Sequence, residues 1–202
     1  MMSAYVEFLR GLIEDPKGVS APTPSSPTLA SVIASKIDPR RPGLVVELGA
    51  GTGAVTQALL DRGVPAERLL AVENSAYYAG LLRKRFAGVE IVHGDALQFD
   101  RILPAGVPVA AVVSGIPLLH LEPWRRRAFI EGALAVQPAG GLYIQLSYGW
   151  VPPVEPGRDM AMSRTVVWRN FPPAHIWTFT ARALPVSRRQ ATPALAGIAL
   201  NS

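Results

Sequence analysis

The clearest chemical signal in this sequence is a short stretch in the first half of the chain. Residues 45–53 (VVELGAGTG) run from an apolar segment into a turn with glycine at positions 49, 51 and 53. Glycine lacks a Cβ and accepts positive φ, so such a turn brings bare backbone close to a ligand. A helix that begins after the turn offers unpaired N–H groups to the same ligand. The combination is typical of a nucleoside-binding site.

Two carboxylates follow this turn on successive apolar runs. Glu73 ends the run 69–72, a little over 20 residues beyond the turn, which is the spacing of a ribose-binding acid in such units. Asp95 ends the next run, where a carboxylate is placed to accept an adenine amino group. The dinucleotide-binding fingerprint G-x-G-x-x-G would need a third glycine at position 54 or 56, but these positions are Ala and Thr. The turn therefore departs from that fingerprint.

Alternating strands and helices are expected to position these residues. The order predicts a parallel sheet with right-handed crossovers. The predicted strands are 44–48, 69–73, 90–93, 109–114 and 141–148, and the predicted helices are 53–62, 75–86, 96–102 and 123–136. Segments 165–169 and 175–183 predict a closing antiparallel hairpin around Asn170-Phe171-Pro172-Pro173.

Two helices are expected before the sheet. Apolar periodicity predicts one over 3–14, and a second begins near Pro27 and carries Leu29, Val32, Ile33 and Ile37. We therefore expect an N-terminal helical segment over 1–38, a sheet domain over 39–183 and a tail over 184–202.

Composition limits the class of protein. The chain has 202 residues, enough for one α/β domain, and no cysteine, which excludes disulfides, zinc–thiolate sites and a cysteine nucleophile. No apolar stretch approaches the ~18 residues of a membrane span, and no signal pattern opens the chain. We expect a cytoplasmic protein that is at most peripheral to a membrane.

The charge of the chain indicates an anionic partner. The net charge is +5 with a pI near 10.0, and 17 of the 20 basic residues are arginine, whose planar fork binds two phosphate oxygens at once. Nucleic acid and acidic lipid headgroups both remain open, and so does an ordinary solvated surface.

The glycine turn preceded by an acid resembles motif I of class I S-adenosylmethionine-dependent methyltransferases. The resemblance implies a Rossmann-like fold with a seven-stranded, mostly parallel sheet, and S-adenosylmethionine as the cofactor, released as S-adenosylhomocysteine. It implies that Glu47 lies near the methionine amino group of the cofactor. The cofactor-binding residues are then expected to be Glu47, Gly49, Gly51, Thr52, Gly53, Glu73, Asn74, Asp95, Ala96 and Ser114.

The loop after the fourth predicted strand is expected to select the methyl acceptor. Ribosomal RNA adenine dimethyltransferases, whose element order this chain shares, carry there an Asn or Asp that holds the amino group and an aromatic ring that stacks on the base. Here the loop begins Ser114-Gly115-Ile116-Pro117-Leu118, with neither group. An aliphatic amine is therefore favoured as the acceptor, and no nucleic acid partner is expected.

Several further stretches resemble the soluble, peripheral type of bacterial phosphatidylethanolamine N-methyltransferases. They span about 7 to 180 and are 8–11, 24–26, 46–53, 94–96, 113–117, 145–149 and 168–174. The resemblance implies stepwise methylation of phosphatidylethanolamine to phosphatidylcholine at the inner face of an anionic cytoplasmic membrane. Segment 2–14 has Arg10 as its one basic residue, so its attachment would depend on its apolar side chains.

The proposed chemistry is the attack of a neutral amine on a sulfonium methyl group, and it needs no metal. Because the amine must lose a proton, an acceptor near it is expected, and the candidates are Tyr148 and His120. Trp150 is expected to face the methylammonium by cation–π attraction. Arg169, and more weakly Arg10, are expected to hold the lipid phosphate. An rRNA adenine dimethyltransferase and a binding module without turnover are the alternatives.

Overall fold

A seven-stranded sheet flanked by helices forms the described part of this protein. The computed structural model describes residues 26–170 and 172–181, so the predicted helix 3–14, Arg10 and the tail 184–202 lie outside it. The strands are β1 Leu44–Leu48, β2 Leu69–Glu73, β3 Glu90–His93, β4 Val109–Ser114, β5 Leu142–Ser147, β6 Met160–Val167 and β7 Ala174–Ala181. The α-helices are α1 Pro27–Ser35, α2 Ala54–Asp61, α3 Ala76–Arg85, α4 Phe99–Ile102 and α5 Pro123–Ala135.

The sheet has the strand order β3-β2-β1-β4-β5-β7-β6. Strands β1 to β5 are parallel, and β7 pairs antiparallel with both β5 and β6. Every residue of β2 and β4 is buried, as expected for strands covered by helices on both faces. The predicted Rossmann-like α/β class is confirmed, and the first four predicted strands have the bounds that the structure shows.

Two apolar layers cover the two faces of the sheet. Helices α1, α2 and α3 contribute Leu29, Leu59 and Leu82 to one layer, and α4 and α5 contribute Phe99 and Ile130 to the other. Alternate residues of each strand enter opposite layers because successive side chains of a strand point to opposite faces. Within the described residues, no helix has the length and apolar character needed to cross a membrane.

Helix α1 is part of this core. Ser26 caps it, accepting the Leu29 N–H at 3.2 Å, and Pro27 supplies a first residue that needs no hydrogen-bond acceptor. The helix ends at Ser35, so the prediction that it carries Ile37 was wrong, although Ile37 is buried just beyond it.

The hairpin was predicted in the correct place but with wrong bounds. Strand β6 begins at Met160, five residues before the predicted start at 165, and ends at Val167 instead of 169. Strand β7 begins at Ala174 instead of 175, and its predicted end at 183 lies outside the described residues. β6 is an edge strand with exposed Ser163 and Arg164, so its apolar pattern is interrupted. Its extent is set by eight residue pairs with β7, which sequence periodicity does not report.

Candidate functional site

The glycine turn between β1 and α2 is an open backbone cradle. Gly49, Gly51 and Gly53 all have positive φ, at 77°, 54° and 81°. A Cβ on Gly53 would lie 2.4 Å from Phe86 Cε2, and one on Gly49 would lie 3.0 Å from Ile116 Cγ2, whereas one on Gly51 would meet nothing within 4 Å. The outer glycines therefore permit close packing, and Gly51 leaves space in which a ligand can approach the backbone.

Glu47 lies beneath the turn in a dry environment. Its side chain is 3% exposed, and the Thr56 hydroxyl on α2 donates to its Oε2 at 2.6 Å. Burial raises the pKa of Glu47 to about 8, the Thr56 hydrogen bond opposes the rise, and the charge of Glu73 adds to it. A buried carboxyl held in this way gains from a cationic partner. Thr56, which the sequence analysis did not select, is the residue that orients it.

Glu73 joins the end of β2 to the glycine turn. One carboxylate oxygen accepts the Gly51 N–H at 2.7 Å, and the other accepts the Ser75 N–H at 2.8 Å. Burial raises the pKa of Glu73, and these two backbone N–H groups oppose the rise. Each oxygen keeps a second lone pair, so the carboxylate can still accept ligand hydroxyls.

Asp95 lies at the same edge of the sheet, after β3, but in a different environment. Its carboxylate is exposed and accepts the Leu97 N–H at 2.9 Å. The ends of β2 and β3 are joined by the Gly94 N–H, which donates to the Glu73 carbonyl at 3.0 Å, and by His93 Nε2, 3.0 Å from the Asn74 carbonyl oxygen. The structure thus brings the three predicted acids to one edge.

The loop after β4 contacts the glycine turn directly. The Gly115 N–H donates to the Leu48 carbonyl at 2.8 Å, and Gly115 approaches the turn so closely that a Cβ there would lie 3.1 Å from the Gly49 carbonyl oxygen. Gln145 on β5 supports this loop by donating to the Ile116 carbonyl at 2.8 Å. Ser114 is fully buried, so a ligand at this point would meet the loop backbone that follows it.

Tyr148, a predicted catalytic residue, follows β5, the strand that pairs with β4. It is half-buried, and burial raises the pKa of its phenol, which therefore stays protonated at neutral pH. The buried Asn170 amide is its polar neighbour, but that amide accepts the Ser26 N–H and donates to the Pro172 carbonyl. Within the described residues, the buried Tyr148 hydroxyl has no hydrogen-bond partner.

Some of the remaining predicted residues are on the surface, and others are buried. His120 lies exposed in a 3₁₀ turn, and Arg169 lies exposed after β6. Thr52 and Ala96 are buried, and Asn74 is exposed. The cofactor, catalytic and lipid-binding roles assigned to these positions stay predictions.

An aromatic cluster beside the site was largely missed by the sequence analysis. Trp150 is 60% exposed, and its ring packs edge-on against buried His175 at 4.6 Å. Trp177 stacks on His175 with the ring centroids 6.1 Å apart, and the Arg164 guanidinium is 5.6 Å from both indole rings. The signal was present as the i, i+2 spacing of His175 and Trp177, which places both on one face of a strand.

The surface depression lined by Lys36, Asp38 and Arg41 lies at the other edge of the sheet, where β4 and β5 begin. It contains none of the candidate site residues. Because ligands of open α/β sheets bind at the carboxyl ends of the strands, the candidate site is the edge formed by the glycine turn, Glu73 and the loop after β4.

Known proteins match this chain in family and in fold. The model of a methyltransferase domain family matches residues 45–141. An ornithine lipid N-methyltransferase of Singulisphaera acidiphila is 35% identical over 151 residues, which are 72% of this chain and 79% of that protein. A ribosomal RNA small subunit methyltransferase A of Burkholderia lata is 40% identical over 90 residues, which are 42% of this chain and 33% of that protein.

A solved structure shares the fold. Magnesium protoporphyrin IX methyltransferase of Synechocystis, with bound S-adenosylmethionine, superposes with a TM-score of 0.58 at 13% identity, covering 77% of this chain and 79% of that one. At this identity the likeness concerns the fold alone. The chain spans most of the lipid enzyme but about a third of the ribosomal RNA enzyme.

Proposed function

We propose, on the premise that this chain belongs to the S-adenosylmethionine-dependent methyltransferases, that it methylates the amine of a membrane aminolipid. Its cofactor is S-adenosylmethionine. The acceptor proposed is phosphatidylethanolamine, converted stepwise to phosphatidylcholine by a protein at the inner face of the cytoplasmic membrane. The proposal of a lipid acceptor rests on the match to a protein named as a lipid N-methyltransferase, which extends along most of this chain and most of that protein.

The residues of the site fit the cofactor. Gly51 leaves open space above the turn, and a cationic amino group placed near Glu47 would favour the ionised form of that buried carboxyl. Glu73 already orients the turn and retains acceptor capacity for ribose hydroxyls. When bound, the cofactor supplies an electrophilic methyl group on a sulfonium sulfur.

The acceptor side of the site supports a small aliphatic amine over a purine. The loop after β4 presents Ile116 and Pro117, and the side chain of Ser114 is fully buried. At positions 114–118 of this loop no amide is available to hold a flat amino group, and no ring is available to stack on a base. A nucleobase bound here would leave its polar edge without hydrogen-bond partners, which disfavours it as the acceptor.

Tyr148 is the proposed hydrogen-bond acceptor for the substrate amine. Its phenol is neutral and its buried hydroxyl has no partner within the described residues, so it is proposed to accept an ammonium N–H when the substrate enters and to orient the nitrogen. Burial of the ammonium in such a site lowers its pKa and raises the fraction that carries a lone pair. His120 is a weaker choice because it is exposed.

An ornithine lipid is the second candidate acceptor, because the 35% identical relative is named for that lipid. Both candidates present an amine at a membrane surface, so the chemistry proposed for Tyr148 is the same. They differ in the group next to the amine. The exposed guanidinium of Arg169 is the residue proposed to bind the phosphate of phosphatidylethanolamine.

Purified protein incubated with methyl-labelled S-adenosylmethionine tests the proposal. Three parallel reactions would contain vesicles with phosphatidylethanolamine, vesicles with ornithine lipid, or ribosomal RNA. Label in phosphatidylethanolamine is the expected result, and label in ornithine lipid alone would transfer the proposal to the second candidate. Label in RNA alone would show that the lipid assignment is wrong.

A further inference from the structure

The exposed large apolar side chains of this protein are concentrated at one edge. Within the described residues they are Leu97, Val107, Leu119, Trp124, Val136, Trp150, Val151 and Trp168. Six of these eight follow the carboxyl end of a strand, at the edge that carries the glycine turn. Trp168 belongs to this group because β6 runs antiparallel to β7, which runs antiparallel to β5, so β6 ends at the same edge. Val107 precedes β4 and Val136 follows α5, at the opposite edge.

Trp150 and Trp168 pack against each other at this edge and yet face solvent. Trp150 and Trp168 lie 6.1 Å apart and are 60% and 67% exposed, and Trp124 at the start of α5 is 70% exposed. Buried His175 supports the Trp150 ring from below. Large exposed apolar groups beside a binding site are typical of an interaction surface, because soluble proteins rarely leave them uncovered.

The charge around these indoles is positive. Arg125 follows Trp124 and Arg169 follows Trp168, and exposed Arg164 lies over the Trp150 ring. The segments 119–125, 148–151 and 164–169 contain these three arginines and one carboxylate, Glu122. Indoles beside guanidinium groups suit the headgroup region of a bilayer, where the ring is partly buried and the charge meets lipid phosphate.

We infer that this edge, with Trp124, Trp150 and Trp168 as its apolar contacts, docks on the surface of an anionic phospholipid bilayer. The mouth of the site then opens at the headgroups, and an acceptor amine reaches it without leaving the membrane. The inference rests on the proposed lipid acceptor. Single-stranded RNA also binds to aromatic rings and arginine, but Arg164 already occupies a face of Trp150 on which a base would stack.

Vesicle binding by the full chain tests the docking edge separately from catalysis. Vesicles of phosphatidylcholine and phosphatidylglycerol contain no acceptor, so binding to them reports docking alone. We expect the double variant Trp124→Ala/Trp168→Ala to bind them roughly tenfold more weakly or worse. Val107→Ala/Val136→Ala, which removes exposed side chains from the opposite edge, is the matched control and should bind as the parent chain does.

Methylation of a short-chain, water-soluble phosphatidylethanolamine completes the test. The tryptophan variant should retain turnover on this substrate and lose it on vesicles, which also shows that the variant is folded. Undiminished vesicle binding by the variant would overturn the docking edge. If RNA binding is measured in parallel, a variant that loses RNA binding but keeps vesicle binding would show that the edge binds RNA instead. Docking that depends on the tryptophans, without methylation of either lipid, would leave the docking edge standing and remove the proposed function.

Discussion

The two halves of the sheet differ in how their polar groups are satisfied. Around β1, β2 and β3, buried Glu47 and Glu73 are bonded to a hydroxyl and to backbone N–H groups before any ligand binds. Within the described residues, the buried side-chain atoms without a hydrogen-bond partner all belong to position 114 or later. They are on Ser114, Gln137, Tyr148, His175, Trp177 and Thr178.

Exposed tryptophans follow the same division, since Trp124, Trp150 and Trp168 all lie in the second half. An unpartnered buried hydroxyl and an exposed indole both cost free energy in isolation. Apart from Gln137, which follows α5 at the opposite edge, these groups lie on the acceptor half. The buried acids of the cofactor half are already bonded, whereas the acceptor half has contacts left for substrate and membrane. Five variants test this division.

Gly53→Ala should have the largest effect, on the packing of the cofactor half. We expect the free energy of unfolding to fall by about 3 kcal/mol, because a methyl group would lie 2.4 Å from Phe86 Cε2 on a backbone with φ of 81°. Denaturant unfolding measures it. Gly51→Ala is the control, with similar backbone strain and no clash, and should cost about 1 kcal/mol. Equal losses would contradict the packing role of Gly53.

Glu73→Ala should break the link between β2 and the glycine turn. The Gly51 and Ser75 N–H groups would lose their acceptor, so we expect cofactor affinity to fall by about 30-fold, equivalent to roughly 2 kcal/mol. Calorimetry with S-adenosylhomocysteine measures the change. Glu67→Ala removes an exposed carboxylate just before β2, at the opposite end of the strand, and should leave affinity unchanged. An unaffected Glu73 variant would show that the turn needs no carboxylate.

The free energy of unfolding of the ligand-free protein should fall as pH rises, because of the raised pKa of Glu47. Its pKa in the folded protein is about 8, above the ordinary value of 4.5, so the folded state holds a proton that the unfolded state has released. Its stabilising contribution is complete below about pH 4.5 and is lost as pH rises to about 8, by at most about 1.4 kcal/mol per pH unit. Unfolding across this range, compared with Glu47→Gln, measures the slope. Parallel slopes would show that Glu47 is ionised throughout.

Tyr148→Phe tests the acceptor half. We expect turnover to fall about tenfold with cofactor affinity nearly unchanged, because the variant removes the hydroxyl and keeps the ring. Steady-state rates and calorimetry separate the two quantities. Tyr77→Phe, on α3, is the matched control and should leave turnover unaltered. Unchanged turnover in the Tyr148 variant would exclude its hydroxyl from the reaction.

Asp95→Ala should have the smallest effect. The carboxylate is exposed and faces water, so its removal should weaken cofactor binding only about threefold. The measurement is the same calorimetric titration, with exposed Asp100→Ala as the control. A loss as large as that of Glu73→Ala would show that exposure does not distinguish the two acids.

Much of the cofactor half could be predicted from sequence. The bounds of β1 and β2, the glycine turn and the positions of Glu47, Glu73 and Asp95 at one edge follow from local patterns, because parallel strands joined by crossover helices end at the same edge. The acceptor half was harder to predict. Asn170, His175 and Gln145 obtain their neighbours from strand pairing and loop contacts far along the chain.

By itself, the sequence determined the α/β class, the cofactor turn and the absence of a stacking ring at positions 114–118, since each depends on residue types a few positions apart. The tertiary structure alone decided that Thr56 orients Glu47, that β6 begins at Met160, and that tryptophans separated by 44 positions share one edge. The Thr56–Glu47 contact joins β1 to the helix that follows it, whereas the other two arrangements depend on strand order and antiparallel pairing. Such pairing is set by packing of the whole sheet, which no local pattern encodes.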